Sequence, residues 1–218
     1  MTDGILPSYG HETVAEALDT ADPDDGTVVG VLLAGGTSSR FGASNKLLAE
    51  LDGQPLVRHA ARSLLDADLP EVVAVVGYDA DTVSAALTDL DVRVVRNPDY
   101  RMGLSTSVGR GVEAAADAGA DAVVFLPGDM PGVDPATVEL LVDACRAGLG
   151  TALAAGHEGQ RGNPVLFADE HFEELRAVEG DVGGRSVLLG SDDAALIETG
   201  DPGVAEDVDT TEDLRRQR

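Results

Sequence analysis

A chain of 218 residues suits one α/β domain and is long enough to bury a core. Its 43% hydrophobic content excludes a disordered chain, and with aromatics at 3% and no tryptophan the core has to be built from Val, Leu and Ala. Fifteen basic against forty acidic side chains leave a formal charge of −25, which excludes nonspecific binding to nucleic acid or to an anionic membrane surface.

Residues 1–26 form a polar, acidic lead-in, read as an appendage with one short helix carried by Val14, Ala17 and Leu18. A single domain then spans 27–218. Continuous apolar runs over 28–33, 72–76 and 122–126 predict buried strands, with a shorter one over 92–95. Between and after them, helices are predicted over 55–67, 80–87, 105–118 and 135–147. Strands alternating with helices imply right-handed crossovers and a mostly parallel sheet, whose ligands gather at the carboxyl ends of its strands. Further on, 162–167 reads as a strand, 170–178 and 186–189 as helices, and a last helix begins at Thr210. The lone cysteine, Cys145, excludes an internal disulfide and sits in an apolar helical stretch. With no basic-then-apolar leader and no apolar run near the ~20 residues of a membrane span, a cytoplasmic location is expected.

The carboxylates are spread along the whole chain, as on a surface adapted to high salt, where the screening length at about 1 M is ~3 Å. Any single Asp is therefore weak evidence, and only carboxylates in special places carry a functional argument. The search starts after Leu33, Val76 and Leu126, where the predicted strands end.

After the first strand comes Ala34-Gly35-Gly36-Thr37-Ser38-Ser39-Arg40-Phe41-Gly42. Paired glycines at a strand exit let backbone N–H groups approach phosphate oxygens, and Arg40 supplies a forked cation. Neither a P-loop nor a Gly-x-Gly-x-x-Gly fingerprint is present. Lys46 is the only lysine in the chain, and a compact ammonium just past the loop suits a phosphate. The third strand ends in Pro127-Gly128-Asp129-Met130-Pro131, which puts a carboxylate on the ligand edge of the sheet. Asp129 is not needed as a helix cap, because Asp134 before Pro135 fills that place. One carboxylate plus substrate phosphates is a usual way to hold Mg²⁺. Asp209, in Glu206-Asp207-Val208-Asp209-Thr210, is either a second carboxylate on that metal or a first-turn charge.

Taken in order, these motifs resemble the MobA-like NTP-transferase family over about 28–214. The resemblance rests on Leu33-Ala34-Gly35-Gly36, Ser39-Arg40-Phe41-Gly42, Lys46-Leu47-Leu48 and Gly53-Gln54-Pro55-Leu56. It continues through Asn97-Pro98-Asp99-Tyr100, Gly103-Leu104-Ser105-Thr106-Ser107 and Pro127-Gly128-Asp129-Met130-Pro131. Toward the end stand Arg161-Gly162-Asn163-Pro164-Val165-Leu166-Phe167, Gly180-Asp181-Val182-Gly183-Gly184-Arg185 and Asp207-Val208-Asp209-Thr210. The later motifs look most like the molybdenum cofactor cytidylyltransferase branch. That branch usually has Ala where Gly35 stands, the Gly being the guanylyltransferase form, and His where Asn163 stands, so CTP and GTP both stay open.

The resemblance implies a Rossmann-like α/β domain of the nucleotide-diphospho-sugar transferase type, with helices on both faces. It implies transfer of a nucleotide onto the terminal phosphate of molybdopterin or its metal-loaded form, with release of pyrophosphate. Leu33, Ala34, Gly35, Gly36, Thr37, Gly77 and Gly128 would hold the nucleotide, with Arg40 and Lys46 on its phosphates. Asp129 and Asp209 would hold Mg²⁺, and Lys46, Arg40 and Asp129 would carry catalysis. Ser105 and Ser107 would add contacts at a helix start, although Ser105 alone also reads as a plain N-cap. A molybdoenzyme or its chaperone is the partner such an enzyme would serve. Two other readings stand beside it: a transferase acting on a sugar or alcohol phosphate, and a non-catalytic nucleotide-binding partner of a molybdoenzyme.

Overall fold

The computed structural model describes residues 6–21, 26–37, 41 and 45–217. Its main sheet contains β1 (Ser8–Gly10), β2 (Val28–Ala34), β5 (Glu71–Val76), β6 (Arg93–Arg96), β7 (Ala122–Pro127), β8 (Ala152–His157), β9 (Gln160–Ala168) and β10 (Ala194–Glu198). The spatial order is β1-β10-β8-β9-β7-β2-β5-β6, and only β9 runs antiparallel to its neighbours. Two short strands, β3 (Glu50–Leu51) and β4 (Gln54–Pro55), form a separate hairpin. Its turn residues Asp52 and Gly53 both have positive φ, the demand that favours Asp-Gly in tight hairpins.

Helices cover both faces because the central strands are apolar on both sides. On one face α1 (His11–Thr20), α2 (Leu56–Leu65), α3 (Ala80–Leu87) and α5 (Pro135–Arg146) pack over Leu32, Ala74, Val124 and Leu153. On the other, α4 (Leu104–Asp117), α6 (Phe172–Ala177) and α7 (Arg185–Gly190) pack over Val31, Val73, Phe125 and Ala154. Successive residues of a strand thus feed opposite cores, the period-2 consequence of the pleat. The expected mostly parallel sheet with helices on both faces is what forms.

The short helix expected in the lead-in forms as α1, with Val14 only 2% exposed in the core, and Ser8–Gly10 pairs alongside β10 as an edge strand. Three strands of the main sheet, β1, β8 and β10, have no counterpart in the sequence reading, nor do the short β3 and β4. β8 has no β-branched residue and β10 only Ile197, and burial between two helix layers overrides that weak local preference. Asp134 caps α5 by accepting from the Ala136 amide at 2.9 Å, as expected. Thr210 caps α8 (Thr211–Arg216) in a reciprocal box with Asp213. Ser105 is not the cap of α4. Gly103 is, at φ 116, and Ser105 lies within the helix and is buried. No helix among the described residues is long and apolar enough to cross a membrane.

Candidate active site

The sheet order brings three strand exits together. β2 lies between β7 and β5, with Leu33 level with Pro127 and Ala34 level with Val76. Beyond these ends the backbone segments touch, and the contact explains the glycines. A Cβ on Gly35 would lie 2.7 Å from Ser107 Oγ, and one on Gly77 would lie 2.6 Å from Tyr100 Cβ and 2.8 Å from the Gly35 carbonyl oxygen. All three distances are shorter than a carbon can tolerate, so at each position a missing side chain is what lets the exits close up. The Gly128 amide donates to the Leu33 carbonyl at 3.0 Å and the Tyr78 amide to the Gly35 carbonyl at 3.3 Å. Asn97, 2% exposed, locks the assembly by donating to Ser107 Oγ at 3.0 Å and Thr106 Oγ1 at 2.9 Å.

Charged groups then converge on this edge. Asn45 caps a single 3₁₀ turn, Lys46–Leu48, by accepting from the Leu47 amide at 3.1 Å. That turn delivers Lys46 to within 2.5 Å of Asp129 Oδ2 and 2.6 Å of Asp209 Oδ1. Asp209 is brought there by its backbone, because the Val208 amide donates to the Asp129 carbonyl at 2.9 Å. Oxygens of Asp129, Asp207 and Asp209 all lie within 4.8 Å of one another. Burial acts against the charge on Lys46, but Asp129 and then Asp209 outweigh it and hold the ammonium above its usual value. Burial, then the like charges of Asp209 and Asp129, push the Asp207 carboxyl above the usual carboxylate range. Three hard oxygen donors crowded at this distance suit a small divalent cation such as Mg²⁺ or Mn²⁺.

Leu33, Gly35, Gly36, Thr37, Lys46, Asp129 and Asp209 line one cavity of about 640 Å³, together with Asp207, Arg161 and Asn163. The others expected at the site stand behind it. Ala34 is fully buried with its methyl in the core, because the β2 pleat turns it inward. Gly77, Gly128 and Ser107 support the exits from behind rather than lining the cavity, and Ser105 is buried within α4. Lys46, expected on phosphates, is paired with carboxylates, as three crowded anions require of a nearby ammonium. Arg40, with Ser38, Ser39 and Gly42, lies outside the described residues. Asp207 and Asn45 went unrecognised in the sequence. The signal for Asp207 was the Asp-Val-Asp alternation, which in extended backbone turns both carboxylates to one side while Val208 is buried.

Comparison with known proteins bears on this arrangement. The profile of the MobA-like NTP transferase domain matches residues 30–195. A nicotine blue oxidoreductase from Paenarthrobacter nicotinovorans is 34% identical over 202 residues, covering 89% of this chain and 98% of that protein. A probable molybdenum cofactor guanylyltransferase from Haloferax mediterranei is 35% identical over 126 residues, 56% of either chain. A nucleotidyl transferase from Methanothermobacter thermautotroptrophicus superposes with a TM-score of 0.76 at 26% identity, over 88% of this chain and 96% of that one. The complex of Rv0371C from Mycobacterium tuberculosis with manganese gives a TM-score of 0.71 at 26% identity, over 88% and 97%.

Proposed function

Because the chain belongs to the MobA-like NTP transferase family, we propose that it transfers CMP or GMP from the NTP to the phosphate of a molybdopterin-type acceptor, releasing pyrophosphate. The observation that carries this reading is the convergence of Lys46, Asp129 and Asp209 beside Gly35 in one cavity. An oxygen of the acceptor phosphate forms a bond to the α-phosphorus while the bond from that phosphorus to the bridging oxygen breaks. The electron pair leaves with pyrophosphate. A phosphate monoester has its second pKa near ~6, so the attacking oxygen is ionised at neutral pH without a protein base.

Of the four histidines, three have partners of their own. His11 and His59 face the backbone carbonyls of Thr199 and Leu51, and His171 faces Thr151. Catalysis then rests on positioning and charge. In this reading the Gly35-Gly36 backbone approaches the phosphates, Asp129, Asp207 and Asp209 would hold Mg²⁺, and Arg40 together with Lys46, whose carboxylate partners the ion would take up, would neutralise the phosphates. When bound, that ion would offset the negative charge gathered on the polyphosphate. The manganese complex of a structural relative supports a divalent cation. The acidic surface fits work at high salt in the cytoplasm, with the product passed to a molybdoenzyme or its chaperone.

The test is pyrophosphate release with each of the four NTPs, Mg²⁺ and molybdopterin at high salt. Release with CTP or GTP is expected, and none with any NTP would overturn the reading. A second reading, oxidation–reduction of a small molecule, draws support from the similarity to a protein called nicotine blue oxidoreductase along 98% of its length. Oxidation or reduction of a small-molecule dye by the chain, without any pyrophosphate released, would favour it.

A further inference from the structure

A second cavity of about 260 Å³ adjoins the first, sharing Arg161, Gly162 and Asn163 with it. Its walls are largely apolar, formed by Val108 of α4, Phe125 of β7, Val165 of β9 and Leu188 of α7. Two arginines face it: Arg161 from β9, half-buried, and Arg185 from the start of α7, exposed. Each stands next to a glycine required by a close approach. A Cβ on Gly162 would fall 1.8 Å from the Val204 carbonyl oxygen, and one on Gly184 would fall 2.9 Å from the Phe167 ring. The backbone under both guanidiniums is therefore pinned.

Among the described residues neither has a carboxylate at ion-pair distance. Ion pairs among the described residues take up Lys46, Arg58, Arg93, Arg96, Arg110 and Arg216, and none reaches Arg161 or Arg185. Other described arginines also stand outside the ion pairs, but Arg161 and Arg185 are the two that line this cavity together. Burial first, and then the charge of Arg185, push the Arg161 guanidinium below its usual value. Two forked donors left together beside an apolar wall match an oxyanion carried on a flat body.

We propose that Arg161 and Arg185 are the anion-binding end of the acceptor subsite, gripping a phosphate or carboxylate whose attached ring lies on Val108, Phe125, Val165 and Leu188. The word acceptor rests on the transferase reading above; the anion subsite does not. Because Arg161 lines both cavities and Arg185 lines the second, the oxyanion they grip sits where the two cavities meet, on the nucleotide side of the ring.

Fluorescence titration tests this with three flat probes: 4-methylumbelliferyl phosphate, 7-hydroxycoumarin-3-carboxylate and neutral 4-methylumbelliferone. CTP, GTP and Mg²⁺ are present throughout to occupy the nucleotide side. The wild-type chain is expected to prefer the anionic probes, and Arg161→Gln and Arg185→Gln to weaken them by about tenfold or more while leaving the neutral probe unchanged. Preference for the phosphate over the carboxylate identifies the group. Arg185 is exposed, so Arg185→Gln keeps the test valid even where Arg161→Gln disturbs folding. Equal binding of the anions to wild type and Arg185→Gln, or no preference for charge in the wild type, overturns the proposal. Absence of pyrophosphate release alongside an intact arginine effect sinks the transferase reading alone.

Discussion

The backbone amide of Val208 donates to the carbonyl oxygen of Asp129 at 2.9 Å. This one bond ties the turn before the last helix to the tip of β7. With the Val208 side chain buried against Leu51 and Leu56, it raises Asp207 and Asp209 beside Asp129. A carboxylate cluster assembled from two distant segments should behave as a unit toward cations. We expect Asp207→Asn and Asp209→Asn each to weaken Mn²⁺ binding by about tenfold or more, measured calorimetrically. Metal-free Asp207→Asn should melt no lower than the parent, since it removes a like charge. Unchanged Mn²⁺ affinity in both variants would remove these residues from the metal site.

Lys46 presents a different trade. Its ammonium supplies counter-charge to Asp129 and Asp209, so Lys46→Ala should destabilise the metal-free protein by on the order of 1–3 kcal/mol, the pair being partly exposed. Added Mn²⁺ should restore most of that loss and bind more tightly than in the wild type, because the competing ammonium is gone. Turnover should nevertheless fall by about a hundredfold or more. Full turnover in Lys46→Ala would refute its assignment.

Gly35 and Ser107 make a reciprocal pair. Gly35→Ala pushes a methyl to 2.7 Å from Ser107 Oγ and should cost about 1–3 kcal/mol, a lowering of melting temperature by roughly 2–4 °C per kcal/mol. Ser107→Ala removes the obstructing oxygen, so the double variant should be more stable than the two single losses sum to. Strict additivity in a double-mutant cycle would show that the glycine is there for another reason.

The fork between Arg58 and Asp89 gives a pH signature away from the site. Arg58 donates to both carboxylate oxygens, at 2.5 and 2.8 Å, and this hydrogen bonding holds the Asp89 carboxyl down at about 2. A lowered carboxyl stabilises the fold above its unfolded value near ~3.9 and loses that contribution as pH falls toward about 2. The stability gap between wild type and Asp89→Asn should therefore be small but constant at neutral pH and close between those limits. It should also shrink with salt, since Asp89 is solvent-facing. A gap that widens on acidification would contradict the sign.

How far the sequence reached can be followed residue by residue. The apolar runs ending at Leu33, Val76 and Leu126 announced central strands, because a strand buried on both faces leaves a continuous local signal. Paired glycines and the Pro-Gly-Asp-Met-Pro turn marked the loop and the carboxylate, because close backbone approach and strand-end chemistry are also local. β8 and β10 left only short apolar runs rich in Ala, which local preference does not mark as strands, and the layers above and below fix their form.

Charge pairing across the chain belonged to the tertiary structure. That Asp207 joins Asp129 depends on the Val208 hydrogen bond, and that Lys46 turns to carboxylates depends on three anions meeting. The placing of Arg161 near Arg185 likewise follows from how β9 and α7 are pinned at Gly162 and Gly184. Local sequence set backbone preference and the need for small residues. The electrostatics of the site were decided by which distant segments the sheet order brought to one edge, a relation no window of neighbouring residues contains.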